Sequence, residues 1–254
     1  MAQRGHCESE QSDNKGNFLK ILEMIAKHNP VVAKKIKAKG NAKYTSNTIQ
    51  NEILQCLASM VQDFIVKEVK ESEVFSIIAD ETKDLQKKEQ LSLVLRYYYN
   101  GAVHESFLEF QNAQNLDAKG LSDMIIKCLE SYGLQYKSNL VGQGYDGASA
   151  RIILSRKAES RAAQLGNILD LTVFLELFRL CKIAPALPVS SAACERSFSA
   201  LKLIKTHLRT TMLDNRLSHL GLLSIESRRA RALNMDDFIK VFASKHKNRR
   251  IALF

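Results

Sequence analysis

The chain has 254 residues, of which 45% are hydrophobic and only three are proline, so it can form one large domain or two small ones. Its formal net charge of +10 lies mainly at one end, since residues 196–254 carry 13 lysines and arginines against four acidic residues. The sequence has no run of eighteen apolar residues, which argues against a membrane span. It has no Cys-x-x-Cys pair and an odd number of cysteines, which argues against a structural zinc site and against a disulfide framework.

Two helical segments are predicted first, and neither carries a candidate functional residue. Residues 17–39 have apolar residues at helical spacing that Pro30 interrupts. A second helix is predicted from Ser46 to about residue 71, with Ser46 or Thr48 as its N-cap. We interpret residues 1–73 as an N-terminal helical segment.

The spacing of apolar residues changes to that of β-strands from residue 74. The sequence FSIIAD, residues 75–80, predicts a strand that is buried on both faces and ends at Asp80. Residues 91–99 and 103–110 predict a hairpin, because Asn100-Gly101 is a preferred dipeptide for a two-residue type I′ turn, in which both residues have positive φ.

A helix and a fourth strand are predicted after the hairpin. Asp117 is the expected N-cap of the helix, which ends before Gly133. Residues 138–150, SNLVGQGYDGASA, then give a short strand that leads to Asp146. This order predicts a mixed sheet whose parallel pair is joined by the helix. If the first and last strands are neighbours, Asp80 and Asp146 meet at one edge of the sheet.

Asp80 and Asp146 are candidate metal ligands. Carboxylates at strand ends suit Mg²⁺ or Mn²⁺. Two such ions, about 3.5–4 Å apart, can activate a water or hydroxyl and stabilise the leaving oxygen of a phosphodiester. The alternative is structural: Asp80 then belongs to an acidic surface turn or a helix cap, and Asp146 to an ordinary glycine-rich turn. The residues alone favour this alternative.

The C-terminal third adds a candidate acid and two apolar stripes. Residues 189–212 predict a helix that Ser190 or Ser191 caps, with Glu195 in its first turn. Glu195 is either a third acid that points towards the sheet edge or an ordinary first-turn glutamate. Further helices are predicted around residues 213–225 and from about residue 234, and their apolar stripes indicate either ordinary core or exposed faces for association.

Three blocks of the chain resemble, in the right order, the hAT transposase superfamily and its cellular MYM-type and BED-type zinc-finger relatives. They read IADETKD with KEQLSLVLRYYY, then GQGYDGASA, then SSAACERSFSALKLIKTHLRTTMLDNRLSHLGLLSIE. The resemblance implies an α/β fold of the mixed α+β kind, with a truncated RNase H-like core and a C-terminal helical dimerisation region. It also implies that Asp80, Asp146 and Glu195 are the acids of a DDE triad, whose ions are Mg²⁺ or Mn²⁺.

The chain departs from this family between the second and third acids. Only 48 residues separate Asp146 from Glu195, whereas intact members hold further sheet, a Cys-x-x-His element and a helical insertion domain there. We therefore interpret residues 74–150 as the first part of the core, residues 151–183 as a helical junction that replaces a deleted insertion domain, and residues 184–254 as the dimerisation region.

These departures predict a vestigial triad in a catalytically incompetent protein that requires no cofactor. We expect it to form a homodimer or to associate with related hAT-derived proteins. The basic C-terminal end predicts weak, non-specific nucleic-acid binding, with a merely solvated basic face as the alternative. Two other functions stay open: a residual metal-dependent DDE nuclease or transposase, and a translated fossil without a selected role.

The expected compartment is the nucleus, with the cytoplasm as the alternative. The cysteine set is typical of a reducing compartment. The polar stretch at residues 1–16 lacks the apolar centre of a signal peptide, and no membrane partner is expected.

Overall fold

The structure is a computed structural model that describes residues 12, 15–37, 45–84, 87–113, 117–145, 173–206 and 212–245. By its internal contacts the chain divides into two compact units, Met1–Cys56 and Leu57–Phe254. Within the described ranges, no helix is both apolar enough and long enough to cross a membrane.

The first unit contains two short helices and the start of a long one. Helix α1 ends before Asn29, whose side-chain Oδ1 accepts hydrogen bonds from the N–H groups of Val31 and Val32 and so caps α2. The predicted interruption at Pro30 is confirmed, since α2 begins there. Ser46 Oγ accepts a hydrogen bond from the N–H of the third residue of α3, which identifies Ser46 as the cap. The three helices are α1 (Asn17–His28), α2 (Pro30–Lys37) and α3 (Asn47–Ser72).

The second unit is built on a four-stranded mixed sheet with the order β3-β2-β1-β4. Strands β1 and β2 pair antiparallel, as do β2 and β3, whereas β1 and β4 pair parallel. The sheet is mixed, as predicted, but its parallel pair is β1 and β4 rather than the two strands that the crossover helix joins. Asn100 and Gly101 have φ values of 49° and 80°, which confirms the tight hairpin turn. The strands are β1 (Phe75–Lys83), β2 (Glu89–Tyr99), β3 (Ala102–Asn112) and β4 (Leu140–Tyr145).

Helix α4, Ala118–Ser131, connects β3 to β4 and completes the crossover. Asp117 caps it by accepting a hydrogen bond from the N–H of Gly120 at 3.2 Å. Gly133, just beyond its end, has a φ of 63°, a conformation that glycine adopts without strain. A single helical turn, α5 (Tyr136–Asn139), precedes β4.

Five helices follow β4 in the described part of the chain. The helix predicted over residues 189–212 ends at Ile204, so that prediction is wrong at its C-terminal end. Asn234 caps the last helix by accepting hydrogen bonds from the N–H groups of Asp236 and Asp237, near the predicted start. The five are α6 (Val173–Ala186), α7 (Ala192–Ile204), α8 (Asp214–Ile225), α9 (Ser227–Arg231) and α10 (Met235–Lys245).

The sheet has helices on both faces. On one face Tyr97 donates a hydrogen bond to Glu68 of α3, at 2.7 Å. On the opposite face its neighbour Arg96 donates to the carbonyl oxygen of Pro185 in α6, at 3.1 Å. Because successive side chains of a strand point to opposite faces, the sheet separates α3 from α6. The predicted mixed α+β fold is confirmed.

Residues of the C-terminal helices share one buried cluster with the sheet. Cys194 of α7 and Leu217 and Leu222 of α8 have no exposed surface, and they belong to the same cluster as Ile77 of β1 and Ile125 of α4. Helices α7 and α8 therefore contribute to the same core as the strands.

Candidate functional site

Asp80 lies in the middle of an antiparallel ladder and at the end of a parallel one. Strand β1 continues to Lys83 opposite β2, so the prediction that the strand ends at Asp80 is wrong. The parallel pairing with β4, however, ends one residue earlier, where Ala79 lies opposite Tyr145. Asp80 is thus the first residue of β1 beyond the described parallel pairing.

Asp146 lies outside the described residues. The last described residue before it, Tyr145, is the register partner of Ala79, and Ala79 directly precedes Asp80. Strands β1 and β4 are therefore neighbours, which is the condition for Asp80 and Asp146 to meet at one edge of the sheet.

The first turn of α7 crosses the sheet beside Asp80. The thiol of Cys194 approaches the carbonyl oxygen of Ile78 at 3.6 Å and that of Ser92 at 3.9 Å. The hydroxyl groups of Ser92 and Ser197 form a hydrogen bond of 2.6 Å. These contacts fix the helix over β1 and β2, within two residues of Asp80.

Asp80 and α7 occupy the same face of the sheet. Asp80 is the cross-strand partner of Ser92, and directly opposed residues project to the same face. Since Ser92 contacts α7, the Asp80 carboxylate also lies on the α7 face. Glu195 follows Cys194 on the first turn, and its side chain is exposed. The structure thus brings Asp80 and the helical turn of Glu195 to one region.

Acidic side chains lie on both faces of the sheet around Asp80. Asp80 Oδ1 accepts a hydrogen bond from the N–H of Glu81 at 2.7 Å. Burial raises the pKa of Glu81, and the charges of Glu89 and Asp80 raise it further. Lys83 offsets part of this charge through an ion pair with Glu89 at 3.3 Å.

A complete metal site is not found in the part of the chain that the structure describes. There, no three histidine, cysteine, aspartate or glutamate side chains are grouped so that they would hold a metal ion. Asp80 and Glu195 alone do not supply the ligand set of a two-ion centre. The role of Asp80, Asp146 and Glu195 in a triad remains a prediction.

A buried ion pair fixes the other end of α7, and no pattern in the sequence predicted it. Lys205 directly follows the last residue of the helix, and its Nζ forms an ion pair with Asp84, just beyond β1. Both side chains are 1% exposed. Asp84 also accepts a hydrogen bond from the N–H of Lys88, at 3.0 Å. The pair ties α7 to the β1–β2 connection.

Helix α8 and the residue after it cover the free edge of the sheet. Ser218 Oγ accepts a hydrogen bond from the N–H of Phe110 at 3.1 Å, and Glu226 Oε1 accepts one from the N–H of Phe107 at 2.8 Å. Gly221 allows the close approach, because a Cβ at this position would lie 2.6 Å from the Phe110 ring. Two N–H groups of the edge strand β3 are thereby satisfied within the chain, which makes this edge less able to pair with other chains.

Arg229 fastens the following short helix to α3. Its guanidinium donates to Glu68 at 2.6 Å, to Tyr97 at 3.2 Å and to Glu226 at 3.2 Å. Burial alone would raise the pKa of Glu68, but the hydrogen bonds from Arg229 and Tyr97 outweigh it and lower that pKa. Lys205 and Arg229 thus form internal ion pairs, which reduces the basic surface that the sequence predicted.

The apolar stripe predicted around residues 213–225 divides between core and surface. Leu217 and Leu222 are fully buried, so the prediction of an exposed apolar face is wrong for them and the alternative of ordinary core is confirmed. Leu213, by contrast, is 75% exposed. The core reading is correct because β3 and α7 supply the surface that covers α8.

Two families match the chain, and together they cover most of it. The family described as "ZMYM1/FAM200, RNase-like domain" matches residues 1–151. The family described as "hAT family C-terminal dimerisation region" matches residues 170–228. The second match includes α6, α7 and α8 in full.

The chain also has a weak match to a solved structure. Its title is "Structure of Mos1 transposase catalytic domain and Raltegravir with Mn", and the similarity covers 78% of this chain and 96% of that chain. The identity is 13% and the TM-score is 0.20.

Proposed function

Because this chain belongs to the ZMYM1/FAM200 RNase-like domain family and carries a hAT C-terminal dimerisation region, it is a transposase-derived protein, and we propose that it acts through association rather than catalysis. The partner is a second copy or a related hAT-derived chain. The observation that carries this proposal is the match of residues 170–228 to the dimerisation region. The helices of that region are folded against the sheet, so the association surface is held on a stable core.

The state of the acidic residues supports the loss of transposition. Glu195 is exposed on its helical turn, and Asp80 Oδ1 already accepts a hydrogen bond from the N–H of Glu81. An exposed glutamate retains its rotamer freedom, whereas catalysis needs carboxylates that are held in position. A displacement of about 1 Å can reduce a rate roughly a hundredfold. Only 48 residues between Asp146 and Glu195 remain to build the rest of such a site.

Weak nucleic-acid binding is a second part of the proposal. It rests on the charge of residues 196–254, which include 13 basic and four acidic residues. Arg228 and Arg231 are exposed on α9, whereas Arg229 and Lys205 are engaged inside the fold. Such binding is driven by counterion release and has no sequence preference.

Sedimentation velocity of the full chain over a wide concentration range tests the association. We expect a monomer–dimer equilibrium that shifts towards the dimer as the concentration rises. A chain that stays monomeric alone, and also in mixtures with related hAT-derived proteins, would remove the proposal.

Fluorescence anisotropy with labelled duplex DNA tests the nucleic-acid part separately. Affinity should fall steeply with salt and should weaken in the double variant Arg228→Gln/Arg231→Gln. A variant of the exposed Lys119 on α4, Lys119→Gln, serves as the control for a charge change elsewhere. Equal binding by all three proteins would show that α9 is not involved.

A residual divalent-metal-dependent nuclease is the second candidate, because Asp80 lies beside both β4 and the first turn of α7. It requires Mg²⁺ or Mn²⁺ and the acids Asp80, Asp146 and Glu195. Cleavage of DNA in Mn²⁺ that Asp80→Asn abolishes and Glu81→Gln preserves would establish it. Cleavage that survives in Asp80→Asn comes from a contaminant or another site.

A further inference from the structure

Helix α6 exposes a stripe of uncharged side chains to solvent. The stripe consists of Leu177, Leu180, Cys181 and Ala184, which recur at intervals of three and four residues and therefore lie on one side of the helix. Leu177 is 54% exposed and Leu180 is 45% exposed, and the other two residues are also exposed. Among the described side chains of α6, the charged residues Arg179 and Lys182 lie off this stripe.

The opposite side of α6 is attached to the sheet. Ala186 has no exposed surface, and the carbonyl oxygen of Pro185 accepts a hydrogen bond from Arg96 of β2 at 3.1 Å. Lys182 forms an ion pair of 3.0 Å with Glu73, which follows α3. The helix is thus anchored in a fixed orientation, with the α6 stripe facing outwards.

The other two helices of the matched dimerisation region have their apolar sides occupied. In α7, Cys194, Phe198 and Leu201 are buried in the common core, and in α8 so are Leu217 and Leu222. Of the described helices within residues 170–228, α6 is therefore the one with a continuous apolar side available to another chain.

We propose that the α6 stripe is the surface through which two copies of this chain associate. This inference rests on the association proposed above and identifies its contact surface. A second copy is the occupant because residues 170–228 match a dimerisation region. In a two-fold symmetric contact the same patch serves both copies, so an antiparallel pairing of two α6 helices places Leu180 and Cys181 close to the symmetry axis.

The small size of the α6 stripe determines how strongly two copies should associate. The α6 stripe contains two large exposed apolar side chains, Leu177 and Leu180. A surface of about one helix face is smaller than the standard interface of roughly 800 Å² per partner. The dimer should therefore be concentration-dependent, with a dissociation constant of roughly micromolar order.

Sedimentation velocity on three proteins tests the surface, with Cys7→Ser present in each. They are the parent, the double variant Leu177→Glu/Leu180→Glu, and a control, Leu203→Glu, which alters a 78% exposed leucine on α7. We expect the double variant to weaken the dimer by at least about tenfold and the control to leave it unchanged. Circular dichroism and thermal unfolding establish folding, and Leu177→Ala/Leu180→Ala replaces the charged variant if it does not fold.

Oxidative cross-linking provides an independent readout. Cys181 is exposed, whereas Cys56, Cys128 and Cys194 are buried, so a mild oxidant should link two copies through Cys181 and fail after Cys181→Ser. If the dimer of the α6 variant is as stable as that of the parent, and the parent forms no Cys181 cross-link, the α6 stripe is not the association surface. The association itself would then still stand. Unchanged dimerisation with a lowered unfolding temperature in the variants would show that the chain itself covers the stripe, which also overturns the proposal. A monomeric parent overturns both.

Discussion

Lys205 forms a buried ion pair at the point where helix α7 ends. The apolar spacing continues beyond it in the sequence, yet α7 stops at Ile204 and the lysine side chain turns into the protein to meet Asp84. A buried ammonium group is tolerated only beside an opposite charge, because an isolated buried charge costs several kcal/mol. The side-chain amide of Gln90 also donates a hydrogen bond to Asp84, at 3.5 Å.

Replacement of Lys205 by methionine should strongly destabilise the fold. The change leaves Asp84 charged and buried, at 1% exposure, without its ammonium partner. We expect the free energy of unfolding, measured by urea denaturation, to fall by roughly 3–5 kcal/mol. Lys202→Met, on the exposed side of the same helix, should change it by less than about 0.5 kcal/mol. Equal, small losses in both variants would contradict a structural role for the pair.

Glu68 should make the stability depend on pH in acid. Hydrogen bonds from Arg229 and Tyr97 outweigh burial and lower its pKa below the ordinary value of 4.5. A carboxyl group with a lowered folded-state pKa stabilises the fold above the unfolded-state value, and this contribution is lost as the pH falls through the folded-state value. In Glu68→Gln the loss of unfolding free energy between about pH 5 and pH 3 should therefore be smaller than in the parent.

Glu130→Gln supplies the comparison for this measurement, because Glu130 is exposed on α4. Its pH dependence should follow that of the parent. The opposite sign applies to Glu226, whose pKa burial raises: its contribution to stability falls as the pH rises above 4.5. If the unfolding free energies of Glu68→Gln and the parent changed with pH in the same way, the contacts of Glu68 with Arg229 and Tyr97 would not control stability in acid.

Elements with a strong local signal were predictable from the sequence, and those decided by distant partners were not. The hairpin follows from Asn100-Gly101 and helix α4 from Asp117, because each of these residues sets the backbone of its own turn. The order of elements indicated a mixed sheet but left open whether β1 and β4 are neighbours, which the structure shows them to be. The ion pair at the end of α7 joins two residues that are 121 positions apart, and no local pattern indicates such a contact.

The candidate site shows the same division. The sequence placed Asp80 on a buried strand and Glu195 in the first turn of a helix, and both placements hold. It did not indicate that Cys194 and Ser197 would fix that helix over β1 and β2. Asp146 lies outside the described residues, so the complete triad stays a prediction.

Helix α8 depends on the absence of a side chain at Gly221. A Cβ there would lie 2.6 Å and 2.9 Å from two atoms of the Phe110 ring. Although alanine favours a helix over glycine, the clash should separate α8 from β3, and we expect Gly221→Ala to lower the free energy of unfolding by roughly 1–3 kcal/mol. Ser224→Ala, on the exposed side of α8, should be neutral or slightly stabilising. A stabilised Gly221→Ala protein would show that the contact is loose.

At the scale of the whole molecule, the matched dimerisation region and the sheet are parts of one folded body. Cys194, Phe198, Leu217 and Leu222 pack in the same cluster as the strands, and α8 satisfies N–H groups of the edge strand. The C-terminal helices therefore have two roles in our reading: their inner sides complete the core, and the α6 stripe is left for association. The domain boundaries that the sequence suggested remain predictions, and the one between residues 183 and 184 falls within α6.

Removal of the dimerisation region should therefore abolish folding as well as association. A fragment of residues 45–169 keeps the four strands and α4, but it exposes the apolar residues that α7 and α8 cover and frees the N–H groups of Phe107 and Phe110. We expect this fragment to aggregate or to lack a cooperative thermal transition in circular dichroism, because an uncovered apolar sheet edge attracts other chains. Co-expression with residues 170–254 should restore a soluble complex that unfolds in one transition, whereas the same segment carrying Leu217→Asp/Leu222→Asp should not. If the fragment alone unfolded cooperatively as a monomer, the dimerisation region would be a separate domain, and the interlocked packing of α7 and α8 would not be needed for the stability of the sheet.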